Sequence, residues 1–116
     1  MTTNELKDRT KKFALNIIKL CNEIPGNKTG NTICNQIIRS GTSVGANYRA
    51  AIRSRSKAEF ISKLNIVQEE ADETLYWLEL LLDAKLMDEK YLSDIMKETN
   101  ELVSIFTSSL KTLRNK

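Results

Sequence analysis

The sequence predicts an all-α protein, folded as an up-down-up-down antiparallel four-helix bundle. Four segments of the chain place apolar residues three and four positions apart, which is the spacing of one helix face. The 116 residues include only 4 glycines and 1 proline, whereas the many turns of a β-sandwich need both. The connections between the segments are short, which favours antiparallel neighbours. We therefore expect one four-helix domain over residues 1–116.

The first predicted helix covers residues 4–24. Thr2 with Glu5 three positions later fits a capping box, which satisfies backbone N–H groups at the start of a helix. The loop over residues 25–31 opens with proline and glycine, which predict the end of the helix. The apolar residues of the predicted core face are Phe13, Ile17, Leu20 and Ile24.

The second predicted helix covers residues 32–53 and contains two glycines, Gly41 and Gly45. A glycine inside a helix costs about 1 kcal/mol relative to alanine. Because neither residue has a side chain, the pair clears a strip where another helix can approach closely, and we expect that packing to offset the cost. The predicted core face of this helix is Ile33, Ile37, Gly41, Val44, Tyr48 and Ala51.

The third and fourth predicted helices cover residues 57–85 and 89–114. Ser56 with Glu59 forms a second capping box, and Asp88 can cap the last helix. Apolar residues again step by three and four along both segments. The predicted core faces are Phe60, Leu64, Val67, Ala71, Leu75, Leu78 and Leu82 on the third helix, and Leu92, Ile95, Thr99, Leu102, Phe106, Leu110 and Leu113 on the fourth.

The charges of the chain are separated along its length. Residues 1–57 carry 11 basic and 3 acidic side chains, and residues 58–101 carry 4 basic and 12 acidic ones. Residues 102–116 add three basic side chains, so the net charge of +3 hides two opposed blocks. This asymmetry indicates that basic and acidic faces lie on different helices.

Several classes of function are disfavoured by the composition. The chain has no histidine, so it can form neither a Ser-His-Asp triad nor a histidine metal site, and it lacks the glycine-rich phosphate loops. We therefore expect no enzyme, no cofactor and no metal. Cys21 and Cys34 have no Cys-x-x-Cys spacing, and we expect reduced, buried thiols in a cytoplasmic protein. We find no signal peptide and no apolar run of membrane-spanning length.

The third helix has a second apolar strip opposite its core face. Ile66, Trp77 and Leu80 share this outer face, Tyr76 flanks them, and Glu70 and Glu73 lie among them. Exposed apolar patches around an aromatic residue usually mark a contact surface, so we predict an oligomer interface here. The alternative is a set of scattered surface residues, which are common in soluble proteins.

The outer face of the second helix carries arginines separated by small residues. Arg39, Arg49 and Arg53 lie on this face, and Arg55 and Lys57 continue the charge into the next turn. Three interpretations stay open, since arginine suits phosphate and carboxylate equally. The residues could bind RNA or DNA phosphates, pair with glutamates on a neighbouring subunit or helix, or remain solvated. Glu59, Glu70 and Glu73 are the candidate glutamates, and Lys11 and Lys12 are further nucleic-acid candidates in a cluster that we expect to be solvated helix surface.

Three stretches of the sequence together resemble a known family. They are Cys-Asn-Gln-Ile-Ile-Arg-Ser-Gly-Thr-Ser-Val-Gly-Ala-Asn-Tyr-Arg-Ala-Ala over residues 34–51, Ala-Glu-Phe-Ile-Ser-Lys-Leu over 58–64, and Glu-Ala-Asp-Glu-Thr-Leu-Tyr-Trp-Leu-Glu-Leu over 70–80. The combination resembles the 23S ribosomal RNA intervening-sequence proteins, over most of the chain. The motif residues that match are Gln36, Arg39, Ser40, Ser43, Asn47, Arg49, Glu70, Glu73 and Trp77.

The resemblance implies a fold and an assembly but no catalytic residue. Members of the family are small antiparallel four-helix bundles of bacteria. Their fold is similar to the accessory variability protein of diversity-generating retroelements, a pentameric ring that works with a reverse transcriptase and nucleic acid. By resemblance, we expect a closed homo-oligomeric ring, with a pentamer as the first hypothesis, and RNA, DNA or a reverse transcriptase as partners.

Two hypotheses for the function follow from these observations. The first is a non-enzymatic oligomeric adaptor that binds ribosomal RNA or another structured RNA or DNA through its basic residues. The second is a protein-binding scaffold without a nucleic-acid role, in which Arg39, Arg49 and Arg53 pair with Glu70 and Glu73 between subunits.

Overall fold

The computed structural model describes residues 1–115, and Lys116 lies outside the described part. These residues form four α-helices and no strand, namely α1 (Thr3–Cys21), α2 (Lys28–Ala51), α3 (Lys57–Asp83) and α4 (Glu89–Arg114). The helices pack into a bundle with principal extents of 46 × 21 × 20 Å. Consecutive helices pack along each other, whereas α1 and α4 touch only sparsely. None of the described helices is apolar over a stretch long enough to cross a membrane.

The predicted capping residues stand at the starts of three helices. Thr2 Oγ1 accepts a hydrogen bond from the backbone N–H of Glu5 at 3.1 Å, and Ser56 Oγ accepts one from that of Glu59 at 3.1 Å. Each bond satisfies a donor that has no partner within the helix. Asp88 occupies the N-cap position of α4, but its side chain makes no capping hydrogen bond.

The predicted boundary between the first two helices is wrong on both sides. α1 ends at Cys21, three residues early, because the residue before Pro25 is disfavoured in helical conformation. α2 begins at Lys28, four residues early, because the side chain of Asn27 caps it by accepting a bond from the Gly30 N–H at 2.7 Å. A Cβ at Gly30 would lie 2.6 Å from the Pro25 carbonyl oxygen, so this tight first turn requires glycine.

All four helices contribute to one hydrophobic core. The predicted core faces of α2 and α4 are buried except at Leu113, and α1 departs from its prediction only at Ile24. On α3, the predicted core residues Phe60, Leu75 and Leu82 are half-buried, whereas Leu81 and Thr74 are fully buried. The reason is that α3 packs against both α2 and α4, so its buried face is wider than one strip. The largest fully buried apolar side chains are Phe13, Ile17, Ile37, Val44, Leu64, Val67, Leu78, Leu81, Leu92, Leu102 and Phe106.

A buried pair of hydroxyl groups joins α2 to α3. Thr74 Oγ1 lies 2.8 Å from Ser40 Oγ and 2.8 Å from the Glu70 carbonyl oxygen, and both hydroxyl residues are fully buried. Ser40 Oγ in turn donates to the Gln36 carbonyl oxygen at 2.9 Å. Each buried hydroxyl therefore has a partner, which offsets the cost of removing it from water.

The two glycines of α2 bring α1 close. A Cβ at Gly41 would lie 2.9 Å from Cγ1 and 3.0 Å from Cγ2 of Ile17, which is completely buried. A Cβ at Gly45 would lie 3.2 Å from the carbonyl oxygen of Thr10. Since both contacts fall below ordinary van der Waals separation, the glycines set the distance between the two helices, as the sequence suggested.

We predict that Gly41→Ala destabilises the protein by about 1 kcal/mol. Overpacking costs about 1–3 kcal/mol, and the higher helix propensity of alanine returns about 1 kcal/mol of it. Urea unfolding of the single variants and of Gly41→Ala/Ile17→Ala measures the effect. The double variant should lose less stability than the sum of the single variants, because truncating Ile17 removes the clash. Strict additivity would contradict this assignment.

Candidate functional site

Arg39 on α2 is held by two glutamates on α3 of the same chain. Its Nη1 donates to Glu70 Oε2 at 3.1 Å, and its Nη2 contacts Glu73 Oε2 directly. Its Nε donates to Gln36 Oε1 at 3.1 Å, and Trp77 Nε1 donates to the same Glu73 oxygen at 3.0 Å. The network links five of the motif residues named in the sequence.

This geometry decides among the interpretations of Arg39. The sequence left open a partner on a neighbouring subunit or a neighbouring helix, and the structure places the glutamates on the adjacent helix of the same chain. Their side chains stay exposed, at 47% for Arg39 and 37% for Glu73, so we expect the pair to contribute no more than about 1 kcal/mol. Arg39 is therefore paired with carboxylates, whereas Arg49, the other arginine of α2, has no described carboxylate within 4.0 Å.

Four basic residues cluster around the connection between α2 and α3. Arg49, Arg53, Arg55 and Lys57 are all exposed, and no described carboxylate lies within 4.0 Å of their charged groups. We call these four residues the basic cluster. Ser56 caps α3 within it and fixes the direction in which the chain continues.

The end of α4 adds charge to the same region. Arg114 Nη2 donates to Asn65 Oδ1 on α3 at 2.7 Å, which places the last turn of α4 against the first half of α3. Lys111 lies one turn earlier on α4 and is exposed. From the sequence, Lys111 and Arg114 were counted as basic residues but not assigned to a site. The charges are visible in the sequence, but the contact that brings the end of α4 beside α3 is seen only in the structure.

A cleft of about 370 Å³ opens near the basic cluster. Its lining comes from the first turns of α1 and α3 and the last turns of α2 and α4, which identifies this region as one end of the bundle. Tyr48 and Phe106 pack together here, with ring centroids 5.8 Å apart. Burial raises the pKa of Tyr48, so its hydroxyl stays neutral. The lining residues are Leu6, Tyr48, Phe60, Leu64, Phe106, Ser108, Ser109, Thr112 and Leu113.

The predicted interface strip of α3 is exposed to different degrees. Ile66 is 43% exposed and Tyr76 is 55% exposed, whereas Trp77 and Leu80 are half-buried. The Tyr76 and Trp77 rings meet nearly edge to face, with centroids 5.3 Å apart. Trp77 packs partly against the core, so Ile66 and Tyr76 carry most of the accessible apolar surface of the strip.

A second exposed apolar strip lies on α1, and it was not predicted from the sequence. Leu15 is 58% exposed and Ile18 is 43% exposed. The nucleic-acid candidates Lys11 and Lys12 lie on the same outer side of the helix and are exposed. The signal in the sequence was the presence of two large apolar residues outside the core face of α1.

Arg9 on α1 is paired with two glutamates on α4. Arg9 Nε donates to Glu98 Oε2 at 2.8 Å, and its Nη2 donates to Glu101 Oε2 at 2.7 Å. These bonds join α1 to α4, two helices that otherwise touch only sparsely. The hydrogen bond to Glu98 raises the pKa of Arg9 further, so the guanidinium stays charged.

The two cysteines meet across the α1–α2 contact. Both are free thiols, and each sulfur lies 3.8 Å from the backbone carbonyl oxygen of the other residue. Burial raises the pKa of Cys21, so its thiol stays protonated and is a poor nucleophile. Within residues 1–115, no group of three His, Cys, Asp or Glu side chains is arranged to hold a metal ion.

These features define a small all-α bundle whose charged groups are sorted onto separate outer faces. The family model described as 23S rRNA-intervening sequence protein matches residues 2–108. The chain belongs to that family, as the sequence motifs indicated.

A solved structure gives the same result for the fold. It is the 1.70 Å crystal structure of a protein with unknown function from the S23 ribosomal protein family of Bacteroides thetaiotaomicron VPI-5482. The two chains are 38% identical, with a TM-score of 0.87 over 96% of this chain and 99% of the other. No curated protein sequence matches the chain.

We predict that Glu73→Arg lowers the stability of the protein and that a second substitution, Arg39→Glu, restores part of it within the same chain. Glu73→Arg should destabilise the protein by about 1 kcal/mol, since it sets two guanidinium groups against each other. Adding Arg39→Glu should recover part of that loss, because it restores an opposite-charge pair at position 73 but sets a second carboxylate beside Glu70. Thermal unfolding at two protein concentrations a hundredfold apart is the measurement. Recovery that depends on concentration would place the bridge between subunits instead.

We predict that iodoacetamide alkylates Cys21 at least about tenfold more slowly in the native protein than in urea, because the thiolate is the reactive form. Mass spectrometry of peptides after timed labelling at pH 8 gives the rate, with Cys34→Ser as background to isolate the single thiol. Equal rates in the two conditions would show that burial does not protect this sulfur.

Proposed function

We propose that the protein is a non-enzymatic homo-oligomer that binds structured RNA or DNA through the basic cluster. The observation that carries the proposal is that Arg49, Arg53, Arg55 and Lys57 are exposed without a carboxylate partner among the described residues. Clustered cations of this kind gain affinity for nucleic acid by releasing counterions from the phosphates. Lys111 and Arg114 extend the same positive end.

The form of the assembly is part of the proposal. We infer an up-down-up-down antiparallel bundle, supported by the register in which Thr10 and Ile17 of α1 meet Gly45 and Gly41 of α2, in reverse order. By family resemblance the bundles form a closed ring, with a pentamer as the first hypothesis, and act in the cytoplasm. A reverse transcriptase is a candidate protein partner on the same ground.

A protein-binding scaffold is the second candidate function. The observation in its favour is Arg39, which shows that an arginine of the α2 outer face can be satisfied by glutamates alone. In this alternative, Arg49 and Arg53 bind carboxylates of a neighbouring subunit and no nucleic acid is involved.

We predict that the affinity of the full chain for a structured ribosomal RNA fragment falls steeply as salt rises. Each phosphate contact contributes about 0.9 to the slope of log K against log salt, so Arg53→Ala/Arg55→Ala should reduce the slope by about 2. Fluorescence anisotropy at four salt concentrations, repeated with duplex DNA, measures this. The matched control is Lys28→Ala/Lys90→Ala, which removes two exposed charges from the starts of α2 and α4.

The two candidate functions give opposite results in this experiment. Binding that is absent at low salt, or equally affected by the control variant, would overturn the nucleic-acid proposal. A loss of oligomer mass in Arg53→Ala/Arg55→Ala, measured by light scattering without RNA, would favour the scaffold.

A further inference from the structure

Two outer helix faces combine exposed apolar residues with charges of one sign. On α1, Leu15 and Ile18 lie among Lys11, Lys12 and Lys19, and we call these five residues the α1 strip. On α3, the exposed Ile66 and Tyr76 and the half-buried Leu80 lie among Glu69 and Asp83, and we call these five the α3 strip. Exposed apolar residues grouped in this way mark contact surfaces more often than isolated ones do.

The two strips have complementary charges. All three lysines of the α1 strip are exposed, and no described carboxylate lies within 4.0 Å of their ammonium groups. Asp8 lies one turn before Lys11 and Lys12, and Lys19 lines a cleft with Glu23, Asp94 and Glu98. The stretch from residue 64 to residue 84 contains no basic residue. Glu69 and Asp83 in it are likewise without a described cationic partner.

The two strips also have similar lengths. Asp8, Lys11, Leu15, Ile18 and Asn22 follow steps of three and four, and so do Ile66, Glu69, Glu73, Tyr76, Leu80 and Asp83. At 1.5 Å per residue the two rows run for about 21 Å and about 26 Å. Each is therefore a straight row along its helix, long enough to pack against the other.

We propose that the α1 strip of one copy of the chain packs against the α3 strip of the next copy. This inference rests on the self-assembly stated in the proposed function and specifies its contact. A symmetric α1–α1 contact would set lysines against lysines, and a symmetric α3–α3 contact would set carboxylates against carboxylates. Only the α1–α3 contact covers both apolar rows and pairs opposite charges, which suppresses the alternatives.

The contact has a consequence for the form of the assembly. It joins two different surfaces, so each copy uses one strip on each side, and the chain of contacts closes into a ring when the rotation between copies permits. Lys11 and Lys12 then face carboxylates of a neighbouring copy and not phosphates. The basic cluster lies on neither strip and stays available for nucleic acid.

Two variants, each with one strip disabled, test the contact. Leu15→Asp disables the α1 strip, and Tyr76→Asp disables the α3 strip; both residues are exposed, so the fold should survive, which far-UV circular dichroism checks. Each variant alone should self-associate about a hundredfold more weakly than the wild type, because truncated interface anchors cost that much. Mixed together, they should form a 1:1 dimer and nothing larger, through their remaining intact strips. Light scattering measures all three samples.

The control is Ile38→Asp, which changes an exposed apolar residue on α2, a helix that carries neither strip, and it should assemble as the wild type does. If the wild type assembles and Leu15→Asp assembles equally well, the α1–α3 contact is overturned while the proposed oligomer stands. A wild type that is monomeric at every concentration overturns both. The RNA titration is a separate readout and is unaffected by either result.

A charge exchange covers the case in which an aspartate variant fails to fold. Lys11→Glu and Glu69→Lys should each weaken assembly about tenfold, and the double variant should recover it, since every contact in the ring again joins opposite charges. Absence of recovery in a folded double variant would contradict the pairing.

Discussion

Two glycines on α2 decide how closely α1 can approach, and much of the structure depends on that distance. With Gly41 beneath Ile17 and Gly45 against the backbone at Thr10, α1 packs deeply against α2. This contact is the main support of α1, since α4 touches that helix only sparsely and is joined to it through the bonds of Arg9. It brings the two thiols together and directs Leu15 and Ile18 outward, away from the core. A side chain at Gly41 would press on Ile17, and one at Gly45 would press on the backbone at Thr10.

The distribution of charge follows from the packing of α3 between α2 and α4. Glu70 and Glu73 lie on the side of α3 that faces α2, so Arg39 is satisfied within the chain. Arg49 near the end of α2, and Arg53 and Arg55 in the connection that follows, remain exposed at the end of the bundle. The arginines of this face therefore divide into Arg39, which bridges α2 to α3, and the exposed residues of the basic cluster. Membership in the 23S rRNA-intervening sequence protein family is consistent with both candidate functions, since the similar crystal structure is itself described as a protein with unknown function.

The accuracy of the sequence predictions varied with the physical signal behind them. The core faces of α2 and α4 were predicted almost completely, because burial on one side leaves a clear 3.6-residue period. The core face of α3 was shifted at Leu81 and Leu82, since a helix packed on two sides has a broad apolar sector without a sharp centre. The start of α2 was missed because Asn27 and Gly30 act through local hydrogen bonding and close approach, and neither leaves an apolar period.

The sequence by itself determined the fold class, the capping residues, the family and the separation of basic from acidic segments, because these depend on the order of residues along single helices. Only the tertiary structure decided which charges meet. By sequence, Arg39 and Arg49 lie on the same outer face of α2. The structure pairs Arg39 with carboxylates of α3 and leaves Arg49 exposed, because the partner of a residue depends on the register between the two helices. The same holds for Leu15 and Ile18, whose exposure is set by where α2 and α4 stop covering α1. Whether a charge is paired and whether a side chain is exposed depend on distances between helices, and these distances cannot be read from the sequence of one helix.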